Sequence, residues 1–428
     1  MKRRGFLSLA WVALRDLFDQ KTSFGRLAAV HVGMTAGDTL VTVSLAGSLF
    51  FSVSPTEAKS KVLAYLLLTF APFAVVSPIL GPLIDRSVNG RRIIVAVSGL
   101  SRVVLCWMMS RHLNSWLLFP EAFAVLVASK LYVVTRGTLV PEMARTDQLS
   151  QRTESLDESG WPTTNRPVTS NKGFAGFNAQ LTLLGTGAGL MAGVLGGAIL
   201  KALSASSVLQ FAALVFLLAG MASFRLRKAS PLRQRTSATA FELVHDGVNH
   251  VEVTWGLTAM ALLRFAIGFL GFLLVFGLRS QQASLTWYAW ALGMTGLGSL
   301  VGLAIVTRFH GTRDDSTLLA WSHIVLAVVA GYLAWKPSLI GQILLSGVIG
   351  LVGAVAQPSF DSITQQHVAP GHQGRTFAKF AVRQQLLWVV GAIIPVAIAM
   401  EFTIGDGVIA VICLTTGLVY GLGRRFAR

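Results

Sequence analysis

The stretch Gly81-Pro82-Leu83-Ile84-Asp85-Arg86-Ser87-Val88-Asn89-Gly90-Arg91-Arg92 is a short polar hairpin between two long apolar runs. Elsewhere the chain is oily: 53% of its 428 residues are hydrophobic and only 13% are charged. A turn that holds one acid and three arginines between two membrane-length runs reads as the cytoplasmic joint of a polytopic protein. Arginines are costly to carry across a bilayer, so they pin such a joint to one side.

Working outward from the hairpin, roughly twelve stretches reach the about 20 apolar residues needed to cross a ~30 Å hydrocarbon core. They are 27–51, 61–84, 92–112, 116–140, 174–200, 205–224, 254–278, 286–306, 317–335, 338–358, 376–400 and 403–422. Backbone groups in lipid must be satisfied within their own segment, which favours helices. The ten-residue alternation of a membrane barrel is missing. The fold class is therefore all-α, a polytopic membrane protein whose spans fall into two six-helix bundles. The expected domains are an amphipathic N-terminal segment 1–26, a first bundle 27–224, a polar linker 225–253, a second bundle 254–423 and a basic tail 424–428. Within the first bundle the segment 142–173 is rich in Ser, Thr, Asn, Pro and acids, too polar to order itself by burial, and reads as a mobile cytoplasmic loop.

The net charge of +17 suggests nucleic acid at first sight, and its placement argues otherwise. With an even number of spans and the N-terminus inside, about 25 of the 36 Lys and Arg fall on the cytoplasmic side. The basic excess then sets orientation and meets anionic headgroups, with no need of nucleic acid. Both chain ends are expected in the cytoplasm, in the plasma or inner membrane. The two cysteines, Cys106 and Cys413, lie inside predicted spans and read as small apolar fillers.

The hairpin resembles the signature loop between the second and third helices of the major facilitator superfamily, Gly-x-x-x-Asp-Arg-x-Gly-Arg-Arg. Gly81, Asp85, Arg86, Gly90, Arg91 and Arg92 supply it, with two extra residues between Arg86 and Gly90. The span count, the division into halves and the basic linker agree, so the resemblance covers nearly the whole chain and points to a bacterial efflux-type permease. It implies that the hairpin cluster latches the two halves in one state and opens when they rock. It also implies that Arg136, in the fourth span, pairs with Asp85.

Charges inside spans are functional candidates, since each costs about 2.5–3.5 kcal/mol on insertion scales. Asp38 lies mid-way along the first span and Arg264 mid-way along the seventh, the repeat-related position. The resemblance places both helices on a central pathway. Asp38 is then the candidate proton carrier and Arg264 its modulator, the bland alternative being a fixed ion pair. Arg102, Arg136, Asp361 and Arg383 are further candidate ion-pair partners, with Asp361 and Arg383 near enough in the topology to pair with each other. Cations outnumber acids within the spans, which hints at an anionic or amphipathic cargo.

Gly185, Gly189, Gly193 and Gly197 recur every four residues in the fifth span, and Gly293, Gly298 and Gly302 mark the eighth. Small residues at this interval let helices touch in lipid. The resemblance turns the two stripes into a sliding contact between halves, although the Gly-Pro of exporters is missing from the fifth span.

Enzyme and cofactor motifs are missing. There is no Gly-Lys dipeptide for a phosphate-binding loop, and no Gly-x-Ser-x-Gly, His-Glu-x-x-His or Cys-x-x-Cys. Glu242, His245, Asp246, His250 and Glu252 read as a solvated linker and not as a metal site. The expectation is thus a non-enzymatic, monomeric secondary transporter without cofactor, powered by the proton gradient and exporting a small amphipathic molecule. Its alternatives are a lipid or lysolipid flippase and a non-transporting membrane scaffold or sensor.

Overall fold

The computed structural model describes residues 22–45, 90–154, 174–226, 249–309, 314–369, 372–398 and 400–426. Regular structure among them is entirely helical, in eleven long helices. These are α1 (Ser23–Leu45), α2 (Gly90–Arg111), α3 (Leu118–Glu154), α4 (Phe174–Ala202), α5 (Ala205–Ser223), α6 (Asn249–Ser280), α7 (Leu285–Phe309), α8 (Asp315–Trp335), α9 (Leu339–His367), α10 (Gln373–Ala397) and α11 (Phe402–Phe426). Ten of them, α2 to α11, are long and apolar enough to cross a membrane. Helix α1 carries His31, Asp38 and three threonines and is not among the ten. The expected span 61–84 lies outside the described residues, as do Gly81, Asp85 and Arg86 of the hairpin, the segment 1–21, most of the linker 225–253 and the last two residues of the tail.

Two boundaries differ from the sequence reading. Helix α3 runs through Pro141 to Glu154, so 142–154 continue a helix where a loop was expected. A proline lacks only one amide, and a helix packed on its neighbours absorbs that loss. Helix α6 starts at Asn249, inside the segment read as linker.

The chain divides into two compact units, with α1 to α5 in the first and α6 to α9, α11 and most of α10 in the second. In the first unit α1 packs on α4 and α5, and touches α3, while α2 sits between α3 and α5. Helix α5 shows why these are spans and not surface helices. Val208, Leu209, Ala212, Phe216 and Ala219 are buried at helical spacing, yet Phe211, Leu214, Leu217, Leu218 and Met221 on the remaining surface are also apolar. A helix that is hydrophobic all round needs lipid on its outer side. Ser204 starts α5 by accepting the Ser207 amide at 3.2 Å.

In the second unit α7 packs along α9, α8 along α11 and α9, and α6 against α9 and α11. Met260, Leu263, Leu319, Leu326, Val352 and Ile409, none with any exposed surface, form its core. Trp335, Tyr332 and Lys336 cluster at one end of α8, with the Lys336 ammonium 4.8 Å from the Trp335 ring, as suits a headgroup boundary.

Candidate functional site

The polar core of the first unit is built on Arg102, which has no exposed surface at all. Its Nη1 donates to Asp38 Oδ1 at 2.7 Å, crossing from α2 to α1. Nε donates to the Ser98 carbonyl at 2.9 Å, and Nη2 to Ser98 Oγ at 2.8 Å and Met34 Sδ at 3.5 Å. The guanidinium also lies 4.6 Å from the centre of the Phe216 ring. Asp38 accepts a second bond, on Oδ2, from Ser129 Oγ on α3 at 2.8 Å. Its side chain keeps 32% of its surface exposed while that of Arg102 keeps none. One end of the pair is therefore sealed and the other open.

Local helical geometry assembles this cluster. His31, Met34 and Asp38 fall at i, i+3 and i+7 on α1, one face of a helix. Ser98 and Arg102 are one turn apart on α2, and Ser129, Tyr132 and Arg136 line one side of α3. Ser98 Oγ, while accepting from Arg102, donates to the Ala128 carbonyl at 2.7 Å and so fixes α2 against α3.

A second polar chain lies one turn away. His31 Nδ1 stands 3.0 Å from Tyr132 Oη, and His31 Nε2 stands 3.2 Å from Arg136 Nη1. An arginine only donates, so Nε2 is the acceptor in that contact, and the Leu181 carbonyl of α4 also hydrogen-bonds the ring. The expected partner of Arg136, Asp85, lies outside the described residues. At the end of the same helices Arg91, nearly fully buried, pairs with Glu142 at 3.3 Å. Gly90 opens α2, and Arg92 donates to the Phe224 carbonyl at 3.2 Å, where a cation suits the C-terminus of α5.

Arg264, on α6 of the second unit, donates to Gln357 Oε1 at 2.8 Å, and Gln357 in turn donates to Asp361 Oδ1 at 2.7 Å. Asp38, in the first unit, takes Arg102, one of the candidate ion-pair partners, as its cation. Asp361 is buried beside Gln357, and Arg383 is exposed on α10, so the pair expected between them does not form. Asp406 was missed altogether: it is fully buried and accepts from Gln342 Nε2 at 2.5 Å. An acid inside an apolar run was the signal for it.

Several glycines of the two stripes pack against neighbours in their own unit. A methyl at Gly185 would lie 2.7 Å from His31 Nε2, and one at Gly189 or Gly193 would meet Thr39 at 3.2 or 3.7 Å. Gly298 abuts the Gly347 carbonyl, and Gly302 would place a methyl 2.5 Å from the Leu351 carbonyl, so that stripe lets α7 lie on α9. Gly197 and Gly293 have open space around them. Among the described residues no group of three or more His, Cys, Asp or Glu could hold a metal ion.

No family model matches the chain. The uncharacterized protein ML2143 of Mycobacterium leprae is 26% identical over 418 residues, covering 86% of this chain and 66% of that protein. The uncharacterized protein Rv0876c of Mycobacterium tuberculosis is 39% identical over 115 residues, which is 25% of this chain and 21% of that protein. The chain spans about two thirds of the first relative's length and about a fifth of the second's. Among solved structures, the human organic anion transporter MFSD10 matches with a TM-score of 0.66 at 15% identity, over 93% of this chain and 99% of that one. The major facilitator superfamily transporter FucP matches with a TM-score of 0.63 at 13% identity, over 95% and 98%. A bacterial homologue of the iron transporter ferroportin gives 0.60 at 14% identity, over 94% and 98%. The chain is a multi-pass membrane protein with the fold of the major facilitator superfamily.

Proposed function

We propose that this chain is a secondary active transporter that works by alternating access, couples to the proton gradient through Asp38, and exports a small amphipathic organic molecule. Both chain ends lie on the cytoplasmic side of the cell membrane, where the basic segments meet anionic headgroups, and the monomer is the working unit.

One observation carries the reading: a half-open carboxylate on a membrane-embedded helix, tied to a sealed arginine. Protonating Asp38 removes the negative charge that compensates Arg102, and a fully buried cation without its counter-charge is expensive. The chain therefore links a proton event at Asp38 to the packing of α1 on α2. A scaffold gains nothing from that arrangement and would bear its cost.

The organic anion transport of the MFSD10 neighbour agrees with an amphipathic organic cargo. Iron, suggested by the ferroportin homologue, fits less well, because the described residues hold no cluster of metal ligands.

The test is flux in proteoliposomes across a panel of amphipathic dyes, with and without an imposed pH gradient. The wild type accumulates dye only with the gradient. D38N loses gradient-driven accumulation and retains exchange of dye across the membrane. Full pumping by D38N would remove Asp38 from the coupling step.

A further inference from the structure

The embedded arginines of this chain differ in what their donors can still do. Arg102 is sealed, and gives Nη1 to Asp38, Nη2 to Ser98 and Met34, and Nε to the Ser98 carbonyl. Arg264, midway along α6, is only partly buried and makes one side-chain hydrogen bond, from Nη2 to Gln357. Its Nε and Nη1 meet no acceptor among the described residues, yet neither is walled off. Its charge is balanced from a distance, since Asp361 reaches it only through Gln357, which bonds both. The compensating carboxylate stands behind the amide and leaves the open donor edge clear. A guanidinium keeps its charge at any working pH, and its planar fork of donors suits the oxygens of a carboxylate, sulfonate or phosphate.

We propose that Arg264 anchors the acidic head of the cargo and that the next two turns of α6 hold its aromatic body. The proposal rests on the transporter reading and narrows its cargo to flat aromatic organic anions.

The surface beyond Arg264 is shaped for a ring. Gly268, Gly271 and Phe272 follow Arg264 by four, seven and eight residues, and so share about 100° of helix surface with it. Gly268 abuts the carbonyl of Trp388 on α10, and Gly391 of α10 abuts that of Phe265, so the two helices cross with their backbones touching. This crossing sets the half-buried Trp388 ring edge-on to Phe272, with centroids 5.9 Å apart and planes at 74°. Gly271, about 10 Å along the axis from Arg264, has nothing within 4 Å of the place where a side chain would begin. The gap thus lies beside an aromatic pair and two turns from a cation with donors to spare. A flat ring in it meets aromatic edges and faces while its acidic group meets the fork. A neutral molecule leaves the donors unused, and an aliphatic anion leaves the gap unfilled.

The experiment measures equilibrium binding to the full chain in phosphatidylcholine nanodiscs by calorimetry, without a gradient, so its outcome is independent of flux. The probes are 2-naphthalenesulfonate, the neutral naphthalene-2-sulfonamide and the ringless methanesulfonate. Wild type should bind 2-naphthalenesulfonate about tenfold or more tightly than either control. R264Q should lose about ten- to hundredfold in affinity, as removal of charge-assisted hydrogen bonds does, and R264K should recover part of the loss. Gly271→Leu fills the gap and leaves the cation untouched. It should cost about tenfold in 2-naphthalenesulfonate affinity with no fall in melting point, since leucine is the better helix former and the glycine stands in open space. Equal binding by wild type and R264Q, equal binding of the sulfonamide, or full binding by Gly271→Leu overturns the proposal. Loss of binding when phosphatidylglycerol replaces phosphatidylcholine overturns it too, by assigning the guanidinium to a lipid headgroup. Full pumping by D38N with sulfonate binding intact would instead refute only the role of Asp38.

Discussion

The Asp38–Arg102 pair predicts an asymmetric cost of mutation. Replacing Asp38 with Leu strands a cation that has no exposed surface, which costs about 3–5 kcal/mol when a buried pair is broken from one side. Replacing Arg102 with Met leaves a carboxylate that is 32% exposed and still accepts from Ser129. Water reaches it, so the cost falls to about 1–2 kcal/mol, that of an imperfectly paired acceptor. The double variant D38L/R102M removes both charges and fills the space with apolar groups, so it should sit close to wild type. For a unit of roughly 200 residues, 1 kcal/mol corresponds to about 2–4 °C in Tm. D38L should therefore melt about 6–20 °C below wild type and R102M about 2–8 °C below. The assay is thermal unfolding in detergent, followed with a thiol-reactive fluorophore in a C413S background. Cys106, free and buried one turn along α2 from Arg102, is then the reporter of the first unit. The reasoning fails if R102M is the more damaging single change, or if the double variant melts as low as D38L.

The same dye assay separates the glycines. Gly185→Ala should destabilise the first unit by up to about 2 kcal/mol, an overpacking cost of about 1–3 less the roughly 1 gained in helix propensity, because its methyl meets His31. Gly197→Ala, which meets nothing within 4 Å, should raise the melting point or leave it unchanged. A lower melting point for Gly197→Ala than for Gly185→Ala would contradict the packing described. Glu142→Ala should lower stability by about 1–3 kcal/mol through the loss of a charged partner from buried Arg91, and Glu142→Gln by less, since an amide oxygen still accepts. Equal melting of the two Glu142 variants would show that the charge of Glu142 does nothing for Arg91.

Which charges are embedded was legible in the sequence, and which of them meet was not. Asp38, Arg102, Arg136 and Arg264 stand out because an ionised side chain in an apolar run is rare enough to be noticed singly. Pairing depends on how far each helix is rotated about its own axis, and no local pattern records that across three helices. Hence Arg102 was only one of several candidate partners, and its contact with Asp38 shows only in the structure. His31 was within reach of pattern reasoning, since it stands seven residues before Asp38 and so shares its face. The glycine stripes were legible as places of close approach, but their partners depend on the same rotations, so that His31, Thr39, Gly347 and Leu351 show only in the structure. The end of α3 was hidden for a different reason: the polar composition after Pro141 suggested a loop, and the helix runs on to Glu154. One consequence bears on coupling. Because the cation of Asp38 comes from α2 of its own unit, a proton gained or lost there changes the packing of α1 on α2 before anything else. If the proposed coupling through Asp38 operates, its first rearrangement falls inside the first unit, where Ser98 and Ser129 hold α2 and α1 to α3.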